Sequence, residues 1–267
     1  MDSLLLIFLV CLGLGAVIGF MAGLLGIGGG IIAVPVLLYL LPKAGFGSEI
    51  LPHVAIATSL AAIILTSLSS ARAHNRQGNI PWSLLKPMLP GLAIGSICSG
   101  FISQLFSADL LQQTFAIFVM VMALQMVFPF KVSERDKPLP STAVLFTTSV
   151  VIAIIAALMG IGGGILLIPF LTWCGIHMRN AIGFSSVSGL FIAFFGSAGY
   201  VVAGWQVTGM PEATLGYVYL PALLGIVTTS VLMAPIGARA ATYWPVPVLR
   251  RAFALLLILT GLKLVFS

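Results

Sequence analysis

The chain is dominated by long apolar runs with almost no charge inside them, such as 4–12 and 152–159. A helix needs about 20 apolar residues to cross the hydrocarbon core of a bilayer. Read with that ruler, apolar stretches fall near 4–25, 30–41, 54–71, 84–106, 110–129, 142–160, 164–175, 181–203, 216–237 and 248–266. Eight are long enough to cross, and two, 30–41 and 164–175, are short. Only 7% of residues are charged, against about 25% in a soluble domain, so the apolar surface must face lipid. Lipid admits only helices or closed barrels. The runs are continuous and do not alternate in polarity as barrel strands do. The expected fold is an all-α, polytopic transmembrane bundle.

The same order of segments occurs twice. Gly23-Leu-Leu-Gly-Ile-Gly-Gly-Gly-Ile-Ile-Ala-Val-Pro35 aligns with Ala157-Leu-Met-Gly-Ile-Gly-Gly-Gly-Ile-Leu-Leu-Ile-Pro169, with eight of thirteen positions identical. Ala55-Ile-Ala-Thr-Ser59 parallels Ala181-Ile-Gly-Phe-Ser185, Leu111–Phe115 parallels Leu249–Phe253, and Gln125–Phe128 parallels Lys263–Phe266. This order predicts a duplication: repeat 1 over 1–130, a charged linker over 131–141 and repeat 2 over 142–267.

Basic residues set the expected orientation. Arg72, Arg76 and Lys86, then Lys131, Arg135 and Lys137, then Arg179, and finally Arg239, Arg250 and Arg251 mark four gaps. If every apolar stretch crosses, all four gaps share the cytoplasmic side, and both termini lie outside; Lys43 is the exception. Five segments per half is an odd number, which inverts the second half relative to the first, a plan common in secondary transporters. Re-entrant short segments would satisfy the charges equally well. The net charge of +6 is therefore read as topogenic, facing anionic lipid, and no nucleic-acid partner is expected.

The chemistry is expected at Gly26-Ile-Gly-Gly-Gly30 and its copy Gly160-Ile-Gly-Gly-Gly164. Such clusters break helices at about 1 kcal/mol per glycine relative to alanine, and a break in lipid persists only where protein, water or substrate satisfies its backbone. The helix that begins after each break points its first amides and its positive dipole end into the gap, which favours an anion. The candidate substrate-binding residues are Gly28, Gly29, Gly30, Ile31, Thr58 and Ser59 in the first half and Gly162, Gly163, Gly164, Ile165, Ser185 and Ser186 in the second. The hydroxyls would donate to the anion or bond their own preceding turn. Gly15, Gly19 and Gly23, like Gly91 and Gly95, are read as helix-packing positions.

Other chemistry is excluded or weakened. All six acids, Asp2, Glu49, Asp109, Glu134, Asp136 and Glu212, lie at or between the ends of apolar stretches, which argues against cation transport and carboxylate-based proton coupling. His53 and His177 flank the starts of related helices and are read as surface residues. Cys11, Cys98 and Cys174 have no metal spacing and are read as packing residues, not disulfide partners. No catalytic triad, metal cluster, Walker loop or cofactor motif occurs, so neither an enzyme nor a cofactor is expected.

The doubled Gly-Ile-Gly-Gly-Gly with its following proline, the Ala-Ile-Ala-Thr-Ser-Leu at 55–60 and the arginine-containing segment before Gly78 resemble the TauE/SafE family of sulfite and organosulfonate exporters. The resemblance spans both halves and departs at Phe184, where threonine is commoner. It implies a bacterial inner-membrane transporter of sulfite, sulfonates or related anions. The expectation is a secondary transporter working by alternating access between the halves, with an anion channel of the same architecture as the alternative. A homo-oligomer is compatible with the sequence.

Overall fold

The computed structural model describes residues 2–25, 29–127 and 140–240, together with 254, 255, 258 and 261. Gly28, most of the linker and most of the stretch 248–266 lie outside the described residues, as do the Leu249–Phe253 and Lys263–Phe266 matches. Nine α-helices of the described residues run in the order α1 (Asp2–Leu25), α2 (Gly30–Leu40), α3 (Leu51–Arg76), α4 (Trp82–Ser103), α5 (Ala108–Val127), α6 (Thr142–Leu158), α7 (Gly164–Trp173), α8 (Met178–Ala203) and α9 (Leu220–Ala240). A 3-10 turn, Leu41–Ala44, extends α2.

Six of these helices, α1, α3, α4, α5, α8 and α9, are long and apolar enough to cross a membrane. The expectation of eight such helices is met only to that extent. One of the other two, α6, stops at Leu158 and has 17 residues, and the other, expected at 248–266, falls mostly outside the described residues. The reason α6 is short is local. Gly160 takes a φ of 66°, its amide bonds the carbonyl of Ala157, and the Ile161 amide reaches back to Ala156. This is a Schellman ending, in which a left-handed residue closes the last carbonyls of a helix.

The helices α3 and α8, each of 26 residues, pack against each other at the centre. Around them α1 lies along α9, and α4 lies along α6 and α8. Large apolar side chains left exposed, among them Leu9, Val17, Ile117, Val121, Val151 and Ile155, sit on the peripheral helices, as a lipid-facing surface requires. Small residues set the close approaches. A side-chain carbon on Gly15 or Gly19 would overlap the backbone of Ile226 or Ser230 in α9, and one on Gly91 or Gly95 would overlap Phe146 or Val150 in α6. The packing reading of these glycines therefore holds.

A two-stranded hairpin between α8 and α9 was not expected; its first strand ends the gap 204–215 and its second falls at the head of the apolar stretch 216–237. Thr214 pairs with Tyr219 and Leu215 with Val218, around Gly216 at φ 53°. Alternating β-branched and aromatic residues about a glycine favour such a hairpin over another helical turn.

The packing role of glycine gives a direct contrast. Gly19→Leu should lower the melting temperature of the detergent-purified protein through overpacking of about 1–3 kcal/mol. Gly13→Ala, whose added carbon meets nothing within 4 Å, should leave the melting temperature unchanged or raise it, through a stability gain of up to about 1 kcal/mol. Equal melting of the two variants would contradict the α1–α9 contact.

Candidate functional site

Both short helices start in the same way. Gly29 caps α2 with φ 70° and ψ −12°, and Gly163 caps α7 with φ 72° and ψ −11°. A left-handed residue at this position costs a side-chain-bearing residue roughly 1–2 kcal/mol, and glycine nothing. Each helix then runs 11 or 10 residues, with Pro35 and Pro169 as the sixth residue of each. Those prolines lack an amide to donate, so each removes one ladder bond and leaves the carbonyl four residues before it, that of Ile31 or Ile165, without that donor.

The two breaks meet. A side-chain carbon on Gly30 would collide with the carbonyl of Gly160 and lie against Ile63 and Ile161. Gly162 faces Ile63 of α3 and Gly189 of α8. The segment Met159–Gly164 is buried throughout, as are Ile31 and Ile165. The Gly29 carbonyl accepts from the Ile32 and Ala33 amides, and the Gly163 carbonyl from those of Leu166 and Leu167. Among the described residues, the amides of Ile31, Gly164 and Ile165 have no hydrogen-bond partner, as the first turn of a helix dictates.

The predicted hydroxyls divide into three kinds. Ser59 donates across the bundle to the Gly160 carbonyl at 2.8 Å, so it ties α3 to the second break. The Thr58 hydroxyl accepts from the Tyr219 amide at 3.0 Å, which anchors the hairpin on α3. Ser186 bonds the Ile182 carbonyl of its own helix at 3.0 Å and meets the Ser70 hydroxyl at 3.1 Å. Ser185 differs: it is 2% exposed, and its Oγ has no partner among the described residues. It stands one turn before Gly189, the residue facing Gly162. Ser188 is likewise buried and without a partner. Thus Gly30, Ser59 and Gly162 come together with Gly160 and Ile161 at one junction, while Gly29 packs on Ile18 and Ala22 of α1 and Gly163 on Ile192 of α8. Ser185 lies beside it, Thr58 turns to the hairpin, and Ser186 turns to α3.

Two readings change with the structure. His53 is buried, at 6% exposure, because Tyr217 of the hairpin covers it with stacked rings whose centroids are 5.2 Å apart; His177 is exposed, as expected. Cys98 is exposed on α4 and not packed inside, whereas Cys11 and Cys174 are buried, and none of the three is joined to another by a disulfide. The covering of His53 was not legible because the hairpin that makes it was not foreseen. Arg72 and Arg76 are exposed in the last two turns of α3.

The cross-bundle bond of Ser59 gives a stability test. Ser59→Ala leaves the Gly160 carbonyl without its donor and should cost about 1 kcal/mol, read as a lower melting temperature. Ser69→Ala on the same helix removes no such bond and should be silent. If the two variants melt alike, the bond contributes nothing to holding the break.

The chain resembles known proteins along most of its length. Residues 11–264 match the family model described as Sulfite exporter TauE/SafE. A "Probable membrane transporter protein" of Haemophilus influenzae is 39% identical over 96% of this chain and 97% of its own length. The "Probable membrane transporter protein YdhB" of Bacillus subtilis is 28% identical over 98% of this chain and all of its own length. A further probable membrane transporter, from Methanocaldococcus jannaschii, is 27% identical over 86% of this chain and 84% of its own. No solved structure matches the chain. With its six apolar helices able to cross a bilayer and a family match running almost from end to end, the chain is a multi-pass membrane transporter that belongs to the TauE/SafE sulfite exporter family.

Proposed function

We propose that the chain is a secondary transporter that carries a small sulfur-containing oxyanion, such as sulfite or a sulfonate, by alternating access about the junction of α2 and α7. The observation that carries this reading is that the glycine-capped start of α2 packs, at Gly30, against the buried Gly160–Ile161 turn that leads into the glycine-capped start of α7. Each start presents unbonded amides and the positive end of a helix dipole, together a site for negative charge. Helices of 10 or 11 residues extend about 15 Å, half of a hydrocarbon core of about 30 Å. Their starts then belong near the midplane. Ser185 supplies a hydroxyl free to donate to an oxyanion.

The arrangement of partners supports two inverted repeats, 1–130 and 142–267, around the linker 131–141. The first helix of each half lies along the fourth helix of the other, α1 with α9 and α6 with α4, while the two third helices, α3 and α8, pair at the centre. A transporter of this kind moves by rocking one half against the other around a fixed site. The distribution of basic residues puts the linker in the cytoplasm and both termini outside, and the family points to the inner membrane of a bacterium. The relatives' names as membrane transporters support carriage and not catalysis.

The reading is tested by exchange of radiolabelled sulfite and methanesulfonate in proteoliposomes. Gly29→Leu and Gly163→Leu should abolish exchange while the proteins still insert and purify as monodisperse species. The added side chains would press on Ile18 and Ile192 and strain the left-handed residues that start α2 and α7. Ser185→Ala should insert normally and raise the half-saturation concentration about tenfold, the loss of one hydrogen bond to a charged ligand of about 1.5 kcal/mol. Exchange at the wild-type rate in both glycine variants would overturn the proposal.

A further inference from the structure

At the end of the bundle where α3 begins and α4 and α8 finish, His53, Ser103, Tyr200 and Tyr217 form a closed polar cluster. His53 Nε2 lies 3.0 Å from the Ser103 carbonyl oxygen. A carbonyl has no proton to give, so Nε2 carries the hydrogen and Nδ1 is left as a bare acceptor. Nδ1 is buried and has no partner. The Tyr217 ring stacks on the imidazole, 26° from parallel. Tyr200 is fully buried, meets Tyr217 edge-on at 6.4 Å between centroids, and has its hydroxyl beside the Ser103 side chain. A buried acceptor without a donor is costly, at roughly 1–3 kcal/mol, and His53 Nδ1 is such an acceptor, placed to take a proton.

Resting on the proposal of anion transport, we infer that His53 is the proton-binding site that couples transport, so that the anion crosses together with a proton. The Nδ1 lone pair takes a proton from water on one face of the membrane and returns it to water on the other, with no change of oxidation state. The imidazolium so formed keeps its bond to the Ser103 carbonyl, now charge-assisted, and lies against the face of Tyr217, which attracts a cation. Among the described residues no carboxylate competes for the role: Glu49 ahead of α3, Asp109 at the start of α5 and Glu212 ahead of the hairpin are all exposed, and the titratable group stacked against the imidazole is Tyr217 of the hairpin, with Tyr200 of α8 behind it.

A physical path joins this cluster to the anion junction. The hairpin that holds Tyr217 over His53 also fixes the Tyr219 amide to the Thr58 hydroxyl. The next residue, Ser59, holds the Gly160 carbonyl at the second break. His53 and Ser59 are six residues apart on one helix, about 9 Å of rise. A charge gained at His53 therefore acts on the hairpin and on α3, both of which touch the break.

The test separates coupling from carriage. Purified protein in proteoliposomes, with protein-free liposomes as control, is assayed for sulfite and methanesulfonate in two modes, exchange at equal pH and net uptake driven by an acid exterior. For the wild type, each pH unit of gradient should raise accumulation up to about tenfold, the ratio one co-transported proton supplies. His53→Gln keeps a donor for Ser103 but binds no proton. It should retain exchange and lose the response to the gradient. A gradient response that survives in this variant, or wild-type exchange that ignores the gradient, would overturn the inference. Absence of wild-type exchange would instead sink the transport reading on which it rests. A second measurement needs no variant of His53. In 15N-histidine spectra of the wild type, assigned with His74→Gln and His177→Gln, the His53 ring should titrate from the Nε2–H neutral form. A ring that stays neutral from about pH 4 to 9, against an ordinary value near 6.5, would also overturn it.

Discussion

Inside a bilayer every backbone amide and carbonyl must find its partner within the protein, and the rest of this architecture follows from where that demand is met and where it is left open. Long helices meet it along their length. At the second glycine cluster it is met by design of the local chain: a Schellman ending closes α6 at Gly160, and Gly163 turns the chain into α7. The Gly160 carbonyl, which the turn leaves outside any helix, is claimed by Ser59 from the opposite half. Among the described residues, the amides of Ile31, Gly164 and Ile165 at the starts of α2 and α7 have no hydrogen-bond partner, and it is on these donors that the proposed anion site rests.

The packing around the junction serves the same end. Glycines let α1 approach α9 and α4 approach α6 backbone to backbone, so the outer helix pairs are held by many small contacts at short range, in the absence of a hydrophobic driving force between helices in lipid. The central pair α3 and α8 carries the polar side chains that reach into the interior: Ser59, Thr58 and His53 from one, Ser185, Ser188 and Tyr200 from the other.

The sequence carried much of this, and unevenly. The short helices were legible because glycine clusters and the truncated apolar runs behind them mark the same positions, and α2 and α7 begin at Gly30 and Gly164, as the clusters dictate. Long helix boundaries were blurred by residues that helices tolerate at their ends: α3 extends to Leu51 and Arg76, beyond the apolar run 54–71, since Pro52 fits a first turn and Arg76 a last one. The roles of single hydroxyls were not legible. Nothing in adjacent letters distinguishes Ser59, bonded across the bundle, from Ser185, which is not, because the difference lies in which carbonyl a distant turn presents. His53 was hidden for the same reason: its burial is made by Tyr217, more than 160 residues away, on a hairpin whose β-favouring letters resemble the head of another helix.

Sulfite, sulfonates and their relatives share a compact cluster of anionic oxygens, which accepts from several donors at once. A pair of converging helix starts is suited to that shape, and carriage then requires only that the donors release what they bind. The most direct measurement is the anomalous difference map of crystals grown with selenate, whose oxygens are arranged as in sulfate. The account predicts a selenium peak between Gly29–Ile31 and Gly163–Ile165, within reach of the Ile31, Gly164 and Ile165 amides. A peak elsewhere, with those amides still unoccupied in a protein that transports, would contradict it.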